Sequence, residues 1–358
     1  EEQSKKSNQI LKILGFQLIE KKLASSLKSK TPNVYNQIWY NSKFSFKKKR
    51  ITNIKSNETC PNCNSSNIKF FSDYKGNSGI FLNKKLFACL ECDLNFINPL
   101  PPSKDIVNYN KSYFLNAHNY NLESNEILLY NKAISKVRVN FVNRNIKDVK
   151  NKILNVLEIG PGYGHFLASW FKLFPYAKYY IDETDTNVKK YLIKKFNVTD
   201  IKDLNQKKLD LVIISHVLEH SLDPNEFIKS KTKFLKKGGI IFIDIPCQDN
   251  LYKKIFEPHT LFYNKKSLRF LLEGLNFKNI KITYHGEDHS SIIYKYNLNK
   301  IIFKITKFIK LPPKLLFSNR FSALDENLSI EERHSLILNV PSKQSENPSR
   351  WMRAIAEK

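Results

Sequence analysis

Four cysteines stand in two closely spaced pairs in the first third of the chain. Cys60 and Cys63 form the first pair, and Cys89 and Cys92 form the second after 25 intervening residues. A two-residue gap lets both thiolates of a pair reach one metal ion, and two such pairs complete a tetrahedral zinc site. Because sulfur then fills every position, we expect a structural zinc that does not activate water. Four unrelated thiols or a redox-active pair are the alternatives, but no thioredoxin-like pattern surrounds the cysteines.

The stretch LEIGPGYG, residues 157–164, places three glycines between an apolar segment and an amphipathic one. The apolar segment predicts a strand, and the following HFLASWFKLF predicts a helix. Glycine at such a turn lets a ligand approach the backbone, and the first N–H groups of the helix then face that ligand. We therefore expect a nucleotide-type pocket. Asp182, at the end of the next predicted strand, is placed to accept hydrogen bonds from ribose hydroxyls, with Glu183 as the alternative.

The residue after the third glycine indicates which nucleotide fits. A dinucleotide-binding turn favours a small residue there, whereas this chain has His165. The chain also has no Gly-Lys-Ser/Thr sequence of the kind found in phosphate-binding loops. The sequence thus favours a cofactor with ribose and adenine but without pyrophosphate.

Strands and helices alternate from residue 151 onward, which is typical of an α/β fold with a parallel sheet and helices on both faces. AKYYID, LDLVIIS and GIIFIDIP are the next predicted strands. Asp223 and Pro224 are expected to open a helix as its N-cap and its first residue. FKNIKITYH and SSIIYKYNL alternate in a way that predicts an antiparallel pair at the sheet edge.

These patterns divide the chain into five predicted parts. The parts are a basic helical segment (1–56), a zinc-ribbon-like module (57–100), a helical linker (101–150), the α/β domain (151–298) and a carboxy-terminal extension (299–358).

The net charge of +26 comes almost entirely from lysines that are spread among asparagines and isoleucines. We interpret it mainly as compositional drift, with an anionic membrane or glycan surface, and then nucleic acid, as the alternatives. ILKILGFQLIEKKLASSL near the start and KIIFKITKFIKLPPKLLF after residue 299 are amphipathic, so each could pack on its own domain or lie on a membrane. No apolar run reaches the about 18 residues of a membrane span. We expect a cytoplasmic protein, with peripheral membrane contact left open.

Together these motifs resemble class I S-adenosylmethionine-dependent methyltransferases. The resemblance is carried by LEIGPGYG, Asp182, LDLVIISHVLEHSLDPNEFI, FLKKGGIIFIDIP and PHTLFYNKKSLRFLLEGLNF, over about residues 150–285. The preceding cysteine pairs and the NPLPP turn are similar to bacterial methyltransferases of sugar and surface-polysaccharide biosynthesis that carry an amino-terminal zinc-binding module. The resemblance implies a Rossmann-like fold and S-adenosylmethionine as the cofactor.

The resemblance also implies a set of cofactor-binding residues. In chain order they are Glu158, Gly160, Gly162, Gly164, Asp182, Asp200 and Ser215. The glutamate and the glycines correspond to positions that hold the methionine part, and Asp182 corresponds to the ribose-binding acid. Asp200 or Asp203 falls near the adenine contact. Ser215 lies at the end of the fourth strand, beside the expected position of the methyl group.

Methyl transfer from a sulfonium is an in-line displacement, so the protein must align acceptor, methyl and sulfur in a site without water. An alcohol acceptor must also lose its proton, and histidine suits the role of base. His216 is the first candidate, because the carboxyl end of a strand in an open α/β sheet faces the ligand crevice. His220, in the same HVLEH turn, and His259, in EPHTLF, are the others. For each, holding its loop by hydrogen bonds is the structural alternative.

Three functions are consistent with the sequence. The leading hypothesis is a methyltransferase that acts on a sugar, nucleotide sugar or surface-glycan intermediate. An RNA methyltransferase with a zinc ribbon ranks lower for two reasons. The segments around the two cysteine pairs lack interleaved arginines and aromatic residues, and the chain has no Asn/Asp-Pro-Pro-aromatic motif. A non-catalytic scaffold is the third, against which the intact glycine turn and Asp182 argue.

Overall fold

The computed structural model describes residues 58–77, 79–118, 125–146, 151, 155–204, 209–294 and 344–358. The predicted basic segment 1–56 and both amphipathic membrane-contact candidates lie outside these residues. Among the residues that are described, no helix combines the length and the apolar character needed to span a bilayer.

Within this part of the chain the strands form two sheets. They are β1 (Ile68–Asp73), β2 (Lys85–Cys89), β3 (Asn95–Asn98), β4 (Asn155–Ile159), β5 (Lys178–Asp182), β6 (Thr199–Asp200), β7 (Leu209–Ser215), β8 (Leu235–Pro246), β9 (Leu261–Phe262), β10 (Lys278–Asp288), β11 (Gln344–Ser345) and β12 (Ser349–Glu357).

The α-helices precede or alternate with the strands of the larger sheet. They are α1 (Ser103–Asn110), α2 (Tyr113–His118), α3 (Asn125–Asn145), α4 (His165–Leu173), α5 (Thr186–Lys195), α6 (Pro224–Thr232) and α7 (Lys265–Gly274). The predicted N-cap of α6 is confirmed, because the Asp223 carboxylate accepts the Glu226 N–H at 2.9 Å and Pro224 is the first helical residue.

The larger sheet has the strand order β11-β10-β12-β8-β7-β4-β5-β6. Strands β4 to β8 are parallel, which confirms the predicted α/β class, and β12 runs antiparallel between β8 and β10. Because side chains alternate along a strand, each strand contributes side chains to two hydrophobic cores, one on each face of the sheet. On β7, Val212 and Ile214 join the core that contains residues of α6 and α7, whereas Leu211 and Ile213 join the core that contains residues of α3, α4 and α5.

The predicted partner of β10 is wrong. Residues 290–294, the start of SSIIYKYNL, are helical, and β10 pairs instead with β12. The exchange has a physical reason, since Met352 and Ala354 of β12 are almost completely buried whereas Tyr294 is exposed. β12 falls within the predicted carboxy-terminal extension, and it pairs with both β8 and β10 of the α/β domain.

Helix α3 belongs to the α/β layers, although the sequence suggests a linker over residues 101–150. Val139 and Val142 of α3 pack in one core with Phe166 and Trp170 of α4. The helix therefore covers one face of the sheet and brings its polar side chains to the carboxyl ends of the strands.

The smaller sheet joins the cysteine-bearing segment to the α/β domain. It has the order β1-β2-β3-β9, and β9 follows EPHT of the larger domain. Asn95 lies opposite Phe262, and Phe96 lies opposite Leu261. The predicted zinc module is thus a three-stranded unit that continues into a strand of its neighbour.

Candidate active site

The glycine turn has the predicted strand-turn-helix setting. β4 ends at Ile159, α4 begins at His165, and the three glycines between them have φ angles of 61°, 54° and 77°. Side chains rarely adopt these left-handed angles, so the turn requires glycine. A Cβ on Gly160 would also lie 2.6 Å from Val217 Cγ2. Glycine at position 160 therefore leaves room for the Val217 side chain.

The end of β5 is tied to this turn. The Gly160 N–H donates to the Asp182 carbonyl at 2.9 Å, and the Gly162 N–H donates to Glu183 Oε2 at 3.1 Å. Glu183 is buried, and burial raises its pKa to about 7. Asp182 is more exposed, and its Oδ2 lies 2.5 Å from Lys231 Nζ. Glu183 thus stabilises the turn, whereas Asp182 is paired with a lysine and its contact with ribose stays a prediction.

A cavity of about 140 Å³ lies beside the turn. Its walls include Glu158, Gly160, Gly162 and Ser215, which the sequence predicts as cofactor contacts. The Ser215 hydroxyl is buried there and has no hydrogen-bond partner among the residues that the structure describes, so a polar ligand group could bond to it. The cavity therefore fits part of a polar cofactor.

Glu158 forms a buried wall of this cavity. Tyr179 donates its hydroxyl hydrogen to Glu158 Oε2 at 2.7 Å. Burial raises the pKa of Glu158 to about 7, although the tyrosine and the nearby Arg138 charge act in the opposite direction. The side chain is thus poised to change its charge when a ligand brings new hydrogen-bond donors.

The other predicted cofactor contacts lie outside this cavity. Gly164 caps α4 against Leu192, because a Cβ there would lie 2.7 Å from Leu192 Cδ2. Asp200 pairs with Lys189 Nζ at 2.9 Å and accepts the Lys202 N–H at 3.1 Å. Asp200 thus has structural contacts at the end of β6, and its adenine role stays a prediction.

The HVLEH turn follows directly from β7. His216 has a left-handed φ of 54°, and its N–H donates to the Asp244 carbonyl at 2.8 Å. His216 Nδ1 lies 3.3 Å from Glu219 Oε1, and the side chain is 34% exposed. A short 3-10 helix, Leu218–His220, then buries Glu219. The predicted base, His216, is thus partly exposed and lies next to the buried Glu219 carboxylate.

The structure brings the other two candidate histidines to the same carboxylate. His220 Nε2 lies 3.9 Å from Glu219 Oε1, and the rings of His220 and His259 meet edge to face with centroids 5.0 Å apart. The second nitrogen of each ring faces an acceptor, which is the Pro258 carbonyl at 3.3 Å for His220 and Asp249 Oδ2 at 2.9 Å for His259. His216, His220 and His259 therefore form one cluster around Glu219.

The charges within this cluster are unequal. Burial alone would raise the pKa of Glu219, but the contact with His216 and the charges of His220 and His259 hold it at about 2. Burial lowers the pKa of His220 to about 4. Near neutral pH the carboxylate is therefore ionised and His220 is neutral.

Two positions in the site were not anticipated from the sequence. Arg138 of α3 lines the cavity and forms a short ion pair with the buried Asp244. Burial would raise the pKa of Asp244, but Arg138 and then Arg353 hold it at about 2. Asp249 is the partner of His259 and also pairs with Lys253. Arg138 lies in a segment that the sequence predicts as a helical linker. Its role in the site could have been predicted only if that helix had been assigned to the α/β domain.

The four cysteines converge as the spacing predicts. Cys60 Sγ lies 3.7 Å from Cys92 Sγ, Cys63 Sγ lies 3.4 Å from Cys89 Sγ, and all four sulfur atoms lie within 4.8 Å of one another. A tetrahedral zinc site with Zn–S bonds of about 2.3 Å places its sulfurs about 3.8 Å apart. The cluster therefore fits a zinc ion with four thiolate ligands.

Polar contacts anchor the cysteine cluster to the larger domain. Asn62, between the first two cysteines, donates to the Ser267 carbonyl at 3.1 Å, and its own carbonyl accepts from Asn225 at 2.9 Å. Ser267 is in α7 and Asn225 is in α6. The cysteine cluster is thus fixed to two helices of the α/β domain.

A family model described as a methyltransferase domain matches residues 129–282. An uncharacterized protein of Methanocaldococcus jannaschii is 29% identical over 169 residues, which cover 43% of this chain and 76% of that protein.

Two solved methyltransferase structures are among those similar to this chain. A SAM-dependent methyltransferase from Archaeoglobus fulgidus has 23% identity and a TM-score of 0.39, and the match covers 63% of this chain and 94% of that one. A possible histamine N-methyltransferase from Thermotoga maritima has 16% identity and a TM-score of 0.40, with 64% and 91% covered.

The family match begins within α3 and ends within β10, so it includes the glycine turn, the cavity and the histidine cluster. This agrees with the predicted Rossmann-like fold and with the predicted cofactor. Residues 129–282 are thus similar to a methyltransferase domain, and this similarity supports an enzyme that transfers methyl groups from S-adenosylmethionine.

Proposed function

We propose that this enzyme methylates a sugar, a nucleotide sugar or a surface-glycan intermediate. The observation that carries the proposal is the position of the cysteine module, which forms one wall of the histidine cluster. The Tyr74 hydroxyl donates to the His259 carbonyl at 2.8 Å, and the Ile97 N–H donates to the Thr260 carbonyl at 2.9 Å. The module that resembles those of sugar methyltransferases therefore contacts the loop where an acceptor would bind.

S-adenosylmethionine, when bound, supplies an electrophilic methyl group that passes to the acceptor atom as its bond to sulfur breaks and a neutral thioether remains. The glycine turn and Ser215, which line the cavity at the carboxyl ends of β4 and β7, would hold the cofactor. Asp182 would bind its ribose. A held cofactor fixes two of the three atoms that must lie in line, the methyl carbon and the sulfur, so the remaining requirement is a wall that orients the acceptor.

His216 removes the acceptor proton. Its Nδ1 faces the ionised Glu219 at 3.3 Å, so the carboxylate orients the ring and stabilises the positive charge that the ring gains. The second ring nitrogen, Nε2, is then the atom that accepts the proton. His220 and His259 are more deeply buried and hold the loop from behind.

A panel of acceptors tests the proposed substrate class. The full chain is incubated with methyl-labelled S-adenosylmethionine and, separately, with nucleoside diphosphate sugars, short bacterial oligosaccharides and total RNA. Mass spectrometry should find the label in a sugar. Label found only in RNA, or in no acceptor while the cofactor binds by calorimetry, contradicts the proposal.

A further inference from the structure

Glu219, His220 and His259 present one ligand atom each, and these atoms all lie within 4.8 Å of one another. Two imidazoles and one carboxylate are a donor set used for zinc and for iron(II), and such sites leave coordination positions open for water or substrate. Bonds of about 2.0–2.2 Å bring ligand atoms to about 3–3.5 Å apart. The three side chains therefore need to close by only about an ångström around an ion.

The outer contacts of the two histidines match those of metal ligands. A ligating histidine commonly donates its other ring N–H to a carboxylate or to a backbone carbonyl, which fixes the tautomer. His259 Nδ1 lies 2.9 Å from Asp249 Oδ2, and His220 Nδ1 lies 3.3 Å from the Pro258 carbonyl. Both contacts leave Nε2 as the nitrogen with a lone pair, and His220 Nε2 faces Glu219.

The carboxylate supplies an independent observation. The Glu219 residue is 2% exposed, and neither of its oxygens has a hydrogen-bond partner among the described residues. The nearest ring nitrogens are those of His216 and His220, which lie 3.3 and 3.9 Å from Oε1. A buried carboxylate without such a partner is costly, and a cation in the space between the three side chains satisfies it.

We propose that Glu219, His220 and His259 bind a divalent cation beside the HVLEH turn, separate from the four-cysteine zinc site. Its role in the reaction rests on the proposed function. An acceptor hydroxyl takes an open position on the cation, which polarises the O–H bond. The proton passes to His216, an O–CH₃ bond forms, and the bond between the methyl group and the sulfonium breaks to give the neutral thioether.

Manganese binding tests the site directly. Mn²⁺ prefers oxygen and imidazole ligands to thiolates, so it reports on this site while zinc remains in the cysteines. Full-length protein with one zinc per chain is titrated with Mn²⁺ and followed by electron paramagnetic resonance. We expect about one bound Mn²⁺ per chain, and at least tenfold weaker binding in Glu219→Gln and in His259→Asn. Glu226→Gln, the same change at an exposed residue of α6, should bind as wild type does.

Folding and cofactor binding are measured on the same samples. Thermal melting and retention of one zinc per chain establish that each variant is folded, and His220→Asn replaces any variant that is not. A wild-type protein that takes up neither Mn²⁺ nor a second zinc overturns the proposal, as does equal Mn²⁺ binding by the folded variants. If calorimetry detects no S-adenosylmethionine binding by the wild-type protein, that result would contradict the proposed function. It would not affect the conclusion about metal binding.

Discussion

Gly160 controls how closely a ligand can approach the backbone at the end of β4. Its φ of 61° and the closeness of Val217 both exclude a side chain. The need for glycine can be predicted from LEIGPGYG, because the motif joins a strand to a helix. The contact with Val217 could not be predicted, since it depends on how the HVLEH turn folds back over the glycines.

We expect Gly160→Ala to weaken S-adenosylmethionine binding at least tenfold. The new Cβ would lie 2.6 Å from Val217 Cγ2, and the left-handed angle adds a strain of about 1 kcal/mol or more. Isothermal calorimetry measures the affinity. Gly274→Ala is the matched control, because nothing lies within 4 Å of a Cβ at that helical position. Equal affinities in the two variants would contradict the assignment of the turn.

His216→Asn should lower kcat by about two orders of magnitude, because asparagine cannot accept the proton. Asparagine tolerates the left-handed φ of 54° at this position better than alanine does, so the loop should keep its shape. The measurement is turnover with an identified acceptor, alongside cofactor affinity. Unchanged turnover would exclude His216 as the base, and a parallel loss of cofactor affinity would assign it to binding.

The raised pKa of Glu158 predicts a pH-dependent stability. In the folded protein its pKa is about 7, above its ordinary value of 4.5, because the side chain is buried. Between these values the folded state binds more protons than the unfolded state, so stability should fall as pH rises from about 4.5 to about 7. Glu158→Gln should remove about 1–3 kcal/mol of that fall, measured by urea unfolding of the cofactor-free protein at several pH values. Glu183, whose pKa burial also raises to about 7, should keep part of the decline in Glu158→Gln. Glu226→Gln should leave the pH profile unchanged, and a decline in Glu158→Gln as large as that of wild type would reject this origin.

At the scale of elements, β12 shows where sequence patterns stop being informative. β4 and β7 can be predicted because each is an apolar run flanked by turn residues, as buried parallel strands are. SRWMRAIAE has two arginines, one of which, Arg353, is buried against Asp244. Only the tertiary structure supplies that counter-charge, so the segment lacks the signal of an inner strand.

Met352→Ala should destabilise the protein by about 2–4 kcal/mol, because Met352 is completely buried in the core shared with the parallel strands. Leu251→Ala, at a residue that is 43% exposed, should cost less than about 1 kcal/mol. Chemical denaturation of both variants provides the comparison. If Met352→Ala lowers the free energy of unfolding by less than about 1 kcal/mol, β12 does not contribute to the cooperative folding of the domain.

At the scale of the whole molecule, the zinc module and the α/β domain share a sheet and a core. Cys60, Cys89 and Cys92 pack in the same cluster as Leu218, next to the HVLEH glutamate, and Leu261 of β9. The cysteine pairs are recognisable in the sequence because two-residue spacings are local. The pairing of β3 with β9 links residues about 165 positions apart, and no local pattern carries that information.

Cys89→Ser should therefore impair catalysis as well as the module. Loss of one thiolate should reduce the bound zinc and lower the melting temperature. It should also reduce turnover more than cofactor affinity, because β9 directly follows His259 whereas the glycine turn follows β4. Zinc content, melting temperature, turnover and cofactor affinity are measured together. Cys247→Ser changes a buried cysteine that is not one of the four predicted zinc ligands, so this variant should keep its zinc. Full turnover in a zinc-free Cys89→Ser protein would show that the module does not support the site.

The position of β12 between β8 and β10 also has a consequence during synthesis. A ribosome makes β8 and β10 before β12, so for a time both strands exist without the neighbour that separates them in the folded sheet. Each then presents an unpaired edge that can join another chain or pair incorrectly with the other. Assembly of the sheet is complete only after residues 349–357 have left the ribosome, and until then the nascent domain depends on protection of these two edges.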